Sequence, residues 1–245
     1  MLRTHKLTKR FGAQTAVDAV DIAVRAGTLH AIIGPNGAGK TTLFNMLGGQ
    51  TRPTAGTIVF RERDITRLGV AERSLLAIGR SFQGTNVFPK LSVFENVRLA
   101  AQSRTRQSYA VWEPACALEA VNARAEDVLA EAGLLGHRGR AARELAGGDQ
   151  RLLELAITLA TEPVLLLLDE PSQGLSPAEA HALVERIRAL AARHTIVLIE
   201  HNMPLVMRLA DEVSVMHLGR VLACGTPAEI RANPDVRAAY LGKRG

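Results

Sequence analysis

A glycine-rich segment at residues 34–42, with the sequence GPNGAGKTT, constrains the fold of this chain more than any other feature. It matches the pattern G-x-x-x-x-G-K-[ST] in full. An apolar segment typical of a buried strand precedes it at residues 29–33, and a helical pattern follows at residues 41–48. A strand that turns through glycines into a helix aims backbone amides and the positive helix end at one point, which suits a phosphate group. The sequence therefore predicts a nucleoside triphosphate site in an α/β fold.

Two side chains in this segment have the chemistry that such a site needs. The ammonium of Lys40 would reach the β- and γ-phosphates of ATP, and the hydroxyl of Thr41 would bind Mg²⁺. The alternative, a structural glycine-rich turn, does not require the complete pattern between a strand and a helix. The predicted nucleotide-binding residues of the segment are Gly34, Pro35, Asn36, Gly37, Ala38, Gly39, Lys40, Thr41 and Thr42.

A pair of acids follows a second apolar segment, at residues 164–168. A uniformly apolar run is typical of a parallel strand buried on both faces, and Asp169 and Glu170 would then stand at its carboxyl end, where open α/β sheets bind ligands. Asp169 suits Mg²⁺, through a water, and Glu170 suits polarising the water that attacks the γ-phosphate. A polar strand end is the structural alternative, but the pairing with a phosphate loop favours a catalytic site.

Hydrophobic patterning divides the rest of the chain into three parts. Residues 1–33 read as short strands, residues 92–162 are mainly helical, and strand–helix alternation resumes from residue 163. We therefore predict an α/β P-loop NTPase core with an N-terminal antiparallel β subdomain and an inserted α-helical subdomain. The domain division is one ATPase domain over residues 1–245, with residues 1–91 and 163–245 forming the core and its β subdomain, and residues 92–162 forming the helical subdomain.

Capping signals mark several helix starts. Ser92 and Ser176 are each followed three residues later by Glu, which predicts a capping box at both positions, and residues 226–229 open a last helical pair. A helical pattern at residues 149–159 begins with Asp149, which is expected to act as its N-cap.

Composition limits the class of protein. The 245 residues carry a net charge of +6 from scattered arginines, which favours a solvated basic surface over nucleic-acid binding. The longest apolar run has no more than five residues, too short to cross a bilayer, so work at a membrane would need a partner that spans it. Two distant cysteines give no disulfide framework and point to a reducing compartment.

The order of further motifs resembles the ABC ATPases over nearly the whole chain. Phe11 stands where this family places an aromatic that stacks on adenine, although alone it would be read as a core residue. Gln83 resembles the Q-loop glutamine, which touches Mg²⁺ and signals to the membrane partner. Residues 174–177 resemble the D-loop. His201 resembles the switch histidine that contacts the γ-phosphate, although alone it would be read as structural. The resemblance implies a catalytic set of Lys40, Gln83, Glu170 and His201, and Mg²⁺ ligands Thr41, Gln83 and Asp169.

Residues 145–151, LAGGDQR, resemble the signature motif that this family closes on the ATP held by a second subunit. Ala146, Gly147, Gly148 and Asp149 would then act in trans. Ala146 replaces the usual serine and Asp149 a usual glutamine, and the lost hydroxyl donor is expected to cost about 1.5–3 kcal/mol.

The same departures, with residues 200–203, 233–236 and 239–242, resemble the ATP-binding subunits of branched-chain amino acid importers. This resemblance implies ATP and Mg²⁺ as cofactors and a second ABC ATPase subunit, identical or closely related, as partner. It also implies integral membrane permease subunits, an indirect periplasmic solute-binding partner, and a peripheral location on the cytoplasmic face of the inner membrane. The alternatives are lipopolysaccharide export or urea import, a non-transport ABC ATPase acting on nucleic acid or ribosomes, and a P-loop kinase or GTPase.

Overall fold

A computed structural model of the chain describes residues 1–81, 87–104 and 118–241. The described strands form two sheets. Their bounds are β1 Leu2–Phe11, β2 Gln14–Val24, β3 Leu29–Ile33, β4 Ala55–Phe60, β5 Arg63–Asp64, β6 Ile78–Arg80, β7 Leu165–Asp169, β8 Thr195–Ile199, β9 Glu212–His217 and β10 Arg220–Gly225.

The smaller sheet is antiparallel and has the strand order β2-β1-β4-β5. The larger sheet has the order β10-β9-β3-β8-β7-β6, in which β9, β3, β8, β7 and β6 are parallel and β10 forms an antiparallel edge. Every residue of β3, β7 and β8 is buried, as their mainly apolar sequences predict, and the polar His30, Asp169 and Thr195 are buried with them. The parallel order brings the residues after β3, β7 and β8 to one edge of the sheet.

Helices cover this sheet and fill the middle of the chain. Their bounds are α1 Lys40–Gly48, α2 Val70–Leu75, α3 Val93–Gln102, α4 Glu119–Ala132, α5 Gly147–Ala160, α6 Pro177–Ala191, α7 Met203–Leu209, α8 Pro227–Ala232 and α9 Pro234–Leu241. One hydrophobic core runs from α3, α4 and α5 onto the central strands through Leu166, Leu168 and Leu198. A second core, which includes Phe44 and Leu7, joins α1 to the antiparallel sheet. No helix in the described ranges is both long and apolar enough to span a bilayer.

One of the two predicted capping boxes is complete, at Ser176, and a further, unpredicted box forms at Thr226. Ser176 and Thr226 each accept from the amide three residues on, and the glutamate at that position accepts from the cap residue. At α3 only half of the box forms, because the oxygen of Ser92 accepts from Glu95 N while the Glu95 carboxylate binds Arg98 at 2.7 Å. The carboxylate of Glu95 therefore pairs with an arginine one helical turn away instead of accepting from the backbone amide of the cap residue.

The expectation that Asp149 caps α5 is wrong. The helix begins at Gly147, its N-cap is Ala146, and no side chain caps it from that position. The two glycines adopt helical angles, so the helix starts earlier and Asp149 falls within its first turn. The Asp149 carboxylate instead lies 3.8 Å from Nε2 of His137.

A buried arginine closes the C-terminal end of α1. Arg73, from α2, donates to the carbonyls of Met46 and Leu47, both at 2.6 Å, and to those of Ile65 at 2.8 Å and Leu68 at 3.0 Å. Only 1% of the residue is exposed, and burial lowers its pKa to about 10. The positive charge lies where the α1 dipole is negative, so it fixes the helix that follows the phosphate loop.

Candidate active site

The loop between β3 and α1 has a backbone that glycine alone allows at two points. Gly34 and Gly39 have φ of 153° and 96°. A Cβ at Gly34 would lie 2.2 Å from the carbonyl oxygen of Met216, and one at Gly39 would lie 2.3 Å from that of Ala16. Gly39 is also the N-cap of α1 and offers no side chain to its first-turn amides. These amides and the helix dipole suit an anion.

Lys40 is folded back over this loop. Its ammonium donates to the carbonyls of Gly34 at 2.7 Å and Pro35 at 3.1 Å. Burial lowers the pKa of Lys40, while the charges of Glu170 and Asp169 raise it. A buried ammonium held by carbonyls alone can exchange them for phosphate oxygens, which are stronger acceptors.

Glu170 and His201 lie together in the cleft that the phosphate loop also lines. Nε2 of His201 lies 2.8 Å from Oε2 of Glu170. The Glu170 side chain is 8% exposed and that of His201 is 47% exposed, so the histidine closes the solvent side of the carboxylate. Glu170 has φ of 46°, and its amide donates to the carbonyl of Ile199 at 2.9 Å. A positive φ at a long side chain is strained, and such strain is often found at functional positions.

Asp169 has one engaged and one unengaged carboxylate oxygen. Oδ2 lies 3.4 Å from Nη2 of Arg80, whereas Oδ1 is buried and has no hydrogen-bond partner among the residues that the structure describes. Burial raises the pKa of Asp169, and the Arg80 charge opposes that rise. A buried carboxylate oxygen without a donor suits a cation or its water, so the donor set fits Mg²⁺.

The cleft has a volume of about 530 Å³, and nine of the eighteen predicted site residues line it, those at positions 36–42, 170 and 201. Two further groups line it that the sequence did not single out, the start of β2 and the β9–β10 turn. Gly219 in that turn donates to the carbonyl of Ala38 at 3.1 Å, and Arg220 binds Asp18 at 2.7 Å. The lining residues are Gln14, Thr15, Ala16, Asn36, Gly37, Ala38, Gly39, Lys40, Thr41, Thr42, Glu170, His201, Leu218 and Gly219.

The sequence also missed Glu200, a buried carboxylate beside His201. It accepts from the amides of Ser172 at 2.9 Å, His201 at 3.1 Å and Asn202 at 3.4 Å. It therefore ties the segment after Glu170 to the segment that carries His201. An acid next to a histidine after a predicted strand was the available signal.

Gly34, Pro35 and Asp169 are not among the residues that line the cleft, and Asp169 borders a separate small cavity beside Ser81. Other predicted residues also lie outside the lining. Phe11 is 53% exposed rather than part of the core, and its ring lies 5.0 Å from Nζ of Lys9. Gln83 lies outside the described residues. The signature residues Ala146, Gly147, Gly148 and Asp149 do not line the cleft.

The first turn of α5 contacts α6 instead. The amide of Gly148 donates to Oε1 of Glu179 at 3.0 Å, while Oε2 of Glu179 accepts from the amide of Ser176 at 2.9 Å. One carboxylate therefore binds the starts of both helices, and these hydrogen bonds lower the pKa of Glu179.

Comparison with known proteins is consistent with this geometry. A family model described as "ABC transporter" matches residues 17–173, and one described as "Branched-chain amino acid ATP-binding cassette transporter" matches residues 220–245. The high-affinity branched-chain amino acid transport ATP-binding protein LivG of Salmonella typhimurium is 43% identical over 99% of this chain and 98% of its own length. The corresponding protein BraF of Pseudomonas aeruginosa is 38% identical over the same shares.

A solved structure, a nucleotide-free ATP-binding cassette from an ABC transporter, matches with a TM-score of 0.86 and 30% identity, covering 99% of both chains. The predicted fold class, with its antiparallel β region and its helical region, is thereby confirmed. The chain belongs to the ABC transporter family and has the fold of an ATP-binding cassette.

Proposed function

We propose that this chain is the ATP-hydrolysing subunit of an importer for branched-chain or other hydrophobic amino acids. The observation that carries the proposal is that Lys40, Glu170 and His201, distant in sequence, face one cleft whose floor is the phosphate loop. A lysine, an acid and a histidine around a phosphate cradle suit hydrolysis of a phosphoanhydride.

The residues of the cleft have different roles in binding and hydrolysing ATP. The triphosphate lies on the amides of the loop, and Lys40 leaves the carbonyls of Gly34 and Pro35 to bind the β- and γ-phosphates. Glu170 polarises the attacking water, and His201 contacts the γ-phosphate once it leaves Glu170. Mg²⁺, held by Thr41, Asp169 and Gln83, would neutralise charge on the phosphates. The exposed ring of Phe11 is available to stack on adenine.

A second subunit completes each site. Ala146, Gly147, Gly148 and Asp149 lie outside the cleft of their own chain, which supports a role against the nucleotide of a partner. Two subunits, identical or closely related, would then enclose two ATP molecules, with the helix start at Gly147 aimed at the partner's γ-phosphate.

Transport requires further partners. The chain would act at the cytoplasmic face of the inner membrane on integral permease subunits, which receive solute from a periplasmic binding protein, and nucleic acid takes no part. Residues 92–162 would form the signature-bearing subdomain that moves against a core of residues 1–91 and 163–245. The helices α3, α4 and α5 contact one another far more extensively than they contact α6 or β6, which supports this division.

The Glu170→Gln variant tests the catalytic assignment. The amide keeps the size of the side chain but is a poor base, so ATP turnover should fall by at least about 100-fold. The variant should still bind ATP and should accumulate as an ATP-dependent dimer in size-exclusion chromatography. Glu185→Gln, on the exposed face of α6, is the matched control and should turn over ATP normally. Normal turnover by Glu170→Gln would show that another group activates the water.

The identity of the transported solute is tested in a reconstituted complex. The chain is copurified with its permease subunits, and the complex is placed in lipid vesicles that contain ATP. Uptake of labelled leucine, with the binding protein added outside, is expected, and the Glu170→Gln complex should lose it. Uptake of urea, or extraction of lipopolysaccharide, without leucine uptake would replace the cargo while leaving the ATPase assignment in place.

A further inference from the structure

Arg80 stands at the end of β6, immediately beside Asp169, and the mechanism above gives it no role. Its side chain is 9% exposed, and that of Asp169 is fully buried. Burying an arginine and a carboxylate is costly unless both are well paired, so a contact of this kind needs a structural or functional reason.

The guanidinium of Arg80 is also held by residues of α1 and by Gln50, which follows that helix. Nη2 donates to Oδ1 of Asn45 at 2.8 Å, and Nη1 donates to the side chain of Gln50. The guanidinium carbon lies 4.6 Å from the centre of the Phe44 ring, within cation–π range. These contacts set the plane of the guanidinium relative to the helix that begins at the phosphate loop.

The same region also fixes the backbone of Asp169. Oγ of Ser81, the next residue after Arg80, accepts from the amide of Asp169 at 3.2 Å and donates to the carbonyl of Leu167 at 3.5 Å. Nη2 of Arg80 then lies 3.4 Å from Oδ2 of the carboxylate, and within the described part of the chain Oδ1 has no partner. Two adjacent residues therefore hold the backbone and one oxygen of this acid and do not engage the other oxygen.

We propose that Arg80 is a positioning residue for the metal-dependent step: it holds Asp169 by Oδ2 so that Oδ1 accepts from a water of Mg²⁺. The inference rests on the proposed function, in which Asp169 serves Mg²⁺. Arg80 acts through Asp169 and does not itself contact nucleotide. An arginine suits this place because its planar fork can bind Asn45 and Asp169 together, whereas a lysine ammonium is a single compact charge.

The test is the Mg²⁺ requirement of nucleotide binding, measured without turnover. A fluorescent ATP analogue is titrated into the full chain in EDTA and then at increasing Mg²⁺. For Arg80→Met we expect the half-saturating Mg²⁺ concentration to rise about tenfold, while affinity in EDTA changes less than about twofold. Arg80→Lys should recover part of the Mg²⁺ response, because it restores the charge without the fork.

Arg98→Met is the matched control, since the Arg98 side chain is as buried as that of Arg80, with 9% exposed, and pairs with Glu95 on α3. It should leave the Mg²⁺ requirement unchanged. Thermal unfolding identifies variants that have lost their fold, and if Arg80→Met is one of them, Arg80→Gln carries the same tenfold expectation, because it can still bond Asn45.

Asp169→Asn separates the two levels of the argument. If Asp169→Asn raises the Mg²⁺ requirement and the neutral Arg80 variants do not, the inference about Arg80 is wrong and the function stands. If Asp169→Asn also leaves the requirement unchanged, the role of Asp169 in the proposed function is wrong, and the role of Arg80 is overturned with it.

Discussion

The missing cap of α5 can be restored by one substitution, Ala146→Ser. Ala146 has φ and ψ of −64° and 161°. Ser92 at −64° and 159°, Ser176 at −64° and 160°, and Thr226 at −65° and 158° adopt the same conformation in this chain, and the hydroxyl oxygen of each accepts from the amide three residues on. A serine at position 146 therefore needs no change of backbone to reach the amide of Asp149.

The expected gain follows from this match. The three existing caps join oxygen and nitrogen at 3.1, 3.4 and 3.4 Å, and exchange between alanine and serine at such a position changes stability by about 0.5–2 kcal/mol. Ala146 is exposed, so the hydroxyl meets no steric barrier. A gain of about 1 kcal/mol corresponds to roughly fivefold in the unfolding equilibrium and to about 2–4 °C in Tm for a chain of this size.

The measurement is chemical and thermal unfolding of the isolated subunit without nucleotide, which excludes any contribution from a partner's phosphate. Ser92→Ala is the reverse control and should lose about 1 kcal/mol at an equivalent cap. The added hydroxyl can still donate its proton while its oxygen accepts from Asp149 N, so ATP turnover should also rise.

The reasoning is refuted if Ser92→Ala costs the expected amount and Ala146→Ser is no more stable than the parent. The local backbone would then not determine whether a cap forms at this helix. A gain in stability without a gain in turnover would leave the capping argument intact and contradict the proposed trans contact.

Two further predictions concern buried ionisable side chains outside the cleft. Arg73→Met removes one donor from each of four carbonyl oxygens, although those of Met46 and Ile65 still accept from backbone amides. The free energy of unfolding measured in denaturant should therefore fall by about 3 kcal/mol, and a loss below about 1 kcal/mol would contradict the anchoring role of Arg73. Burial lowers the pKa of His30 below its ordinary 6.5. The unfolded chain therefore binds this proton more readily than the folded one, and stability should fall as pH drops through about 6.5 and level off below the folded pKa. His30→Asn should make the decline in Tm between about pH 7 and 5.5 shallower, the exposed His5→Asn should not, and equal slopes would rule out His30 as a source of acid lability.

Local patterns were sufficient to locate the parts of the candidate site that lie in one continuous segment. The phosphate loop is one such segment, because its glycines, its lysine and the flanking strand and helix lie within twenty residues. Asp169 and Glu170 were predicted for the same reason, since an apolar strand and the rule for strand ends place them without knowledge of the rest of the fold.

The remaining parts of the site depend on contacts that no local pattern encodes. The place of the β9–β10 turn in the cleft depends on the pairing of Arg220 with Asp18 across 202 positions. Arg80 and Glu200 are defined by their partners on other strands and loops. The glutamate half of the box at Ser92 was misjudged because a capping motif does not specify which competing group binds the carboxylate. The cap at Asp149 was misjudged because the sequence pattern did not show that α5 begins two residues earlier, at Gly147.

The carboxylate of Glu179 has a consequence for how this sequence can vary. A Cβ on Gly148 would lie 2.9 Å from Cγ of Glu179, so the glycine leaves the space that the glutamate occupies. Shortening Glu179 would remove an acceptor from both helix starts, and enlarging residue 148 would displace that acceptor. Positions 148 and 179 are therefore under one joint constraint, although 31 residues separate them. Among relatives, a change at either position should be accompanied by a change at the other.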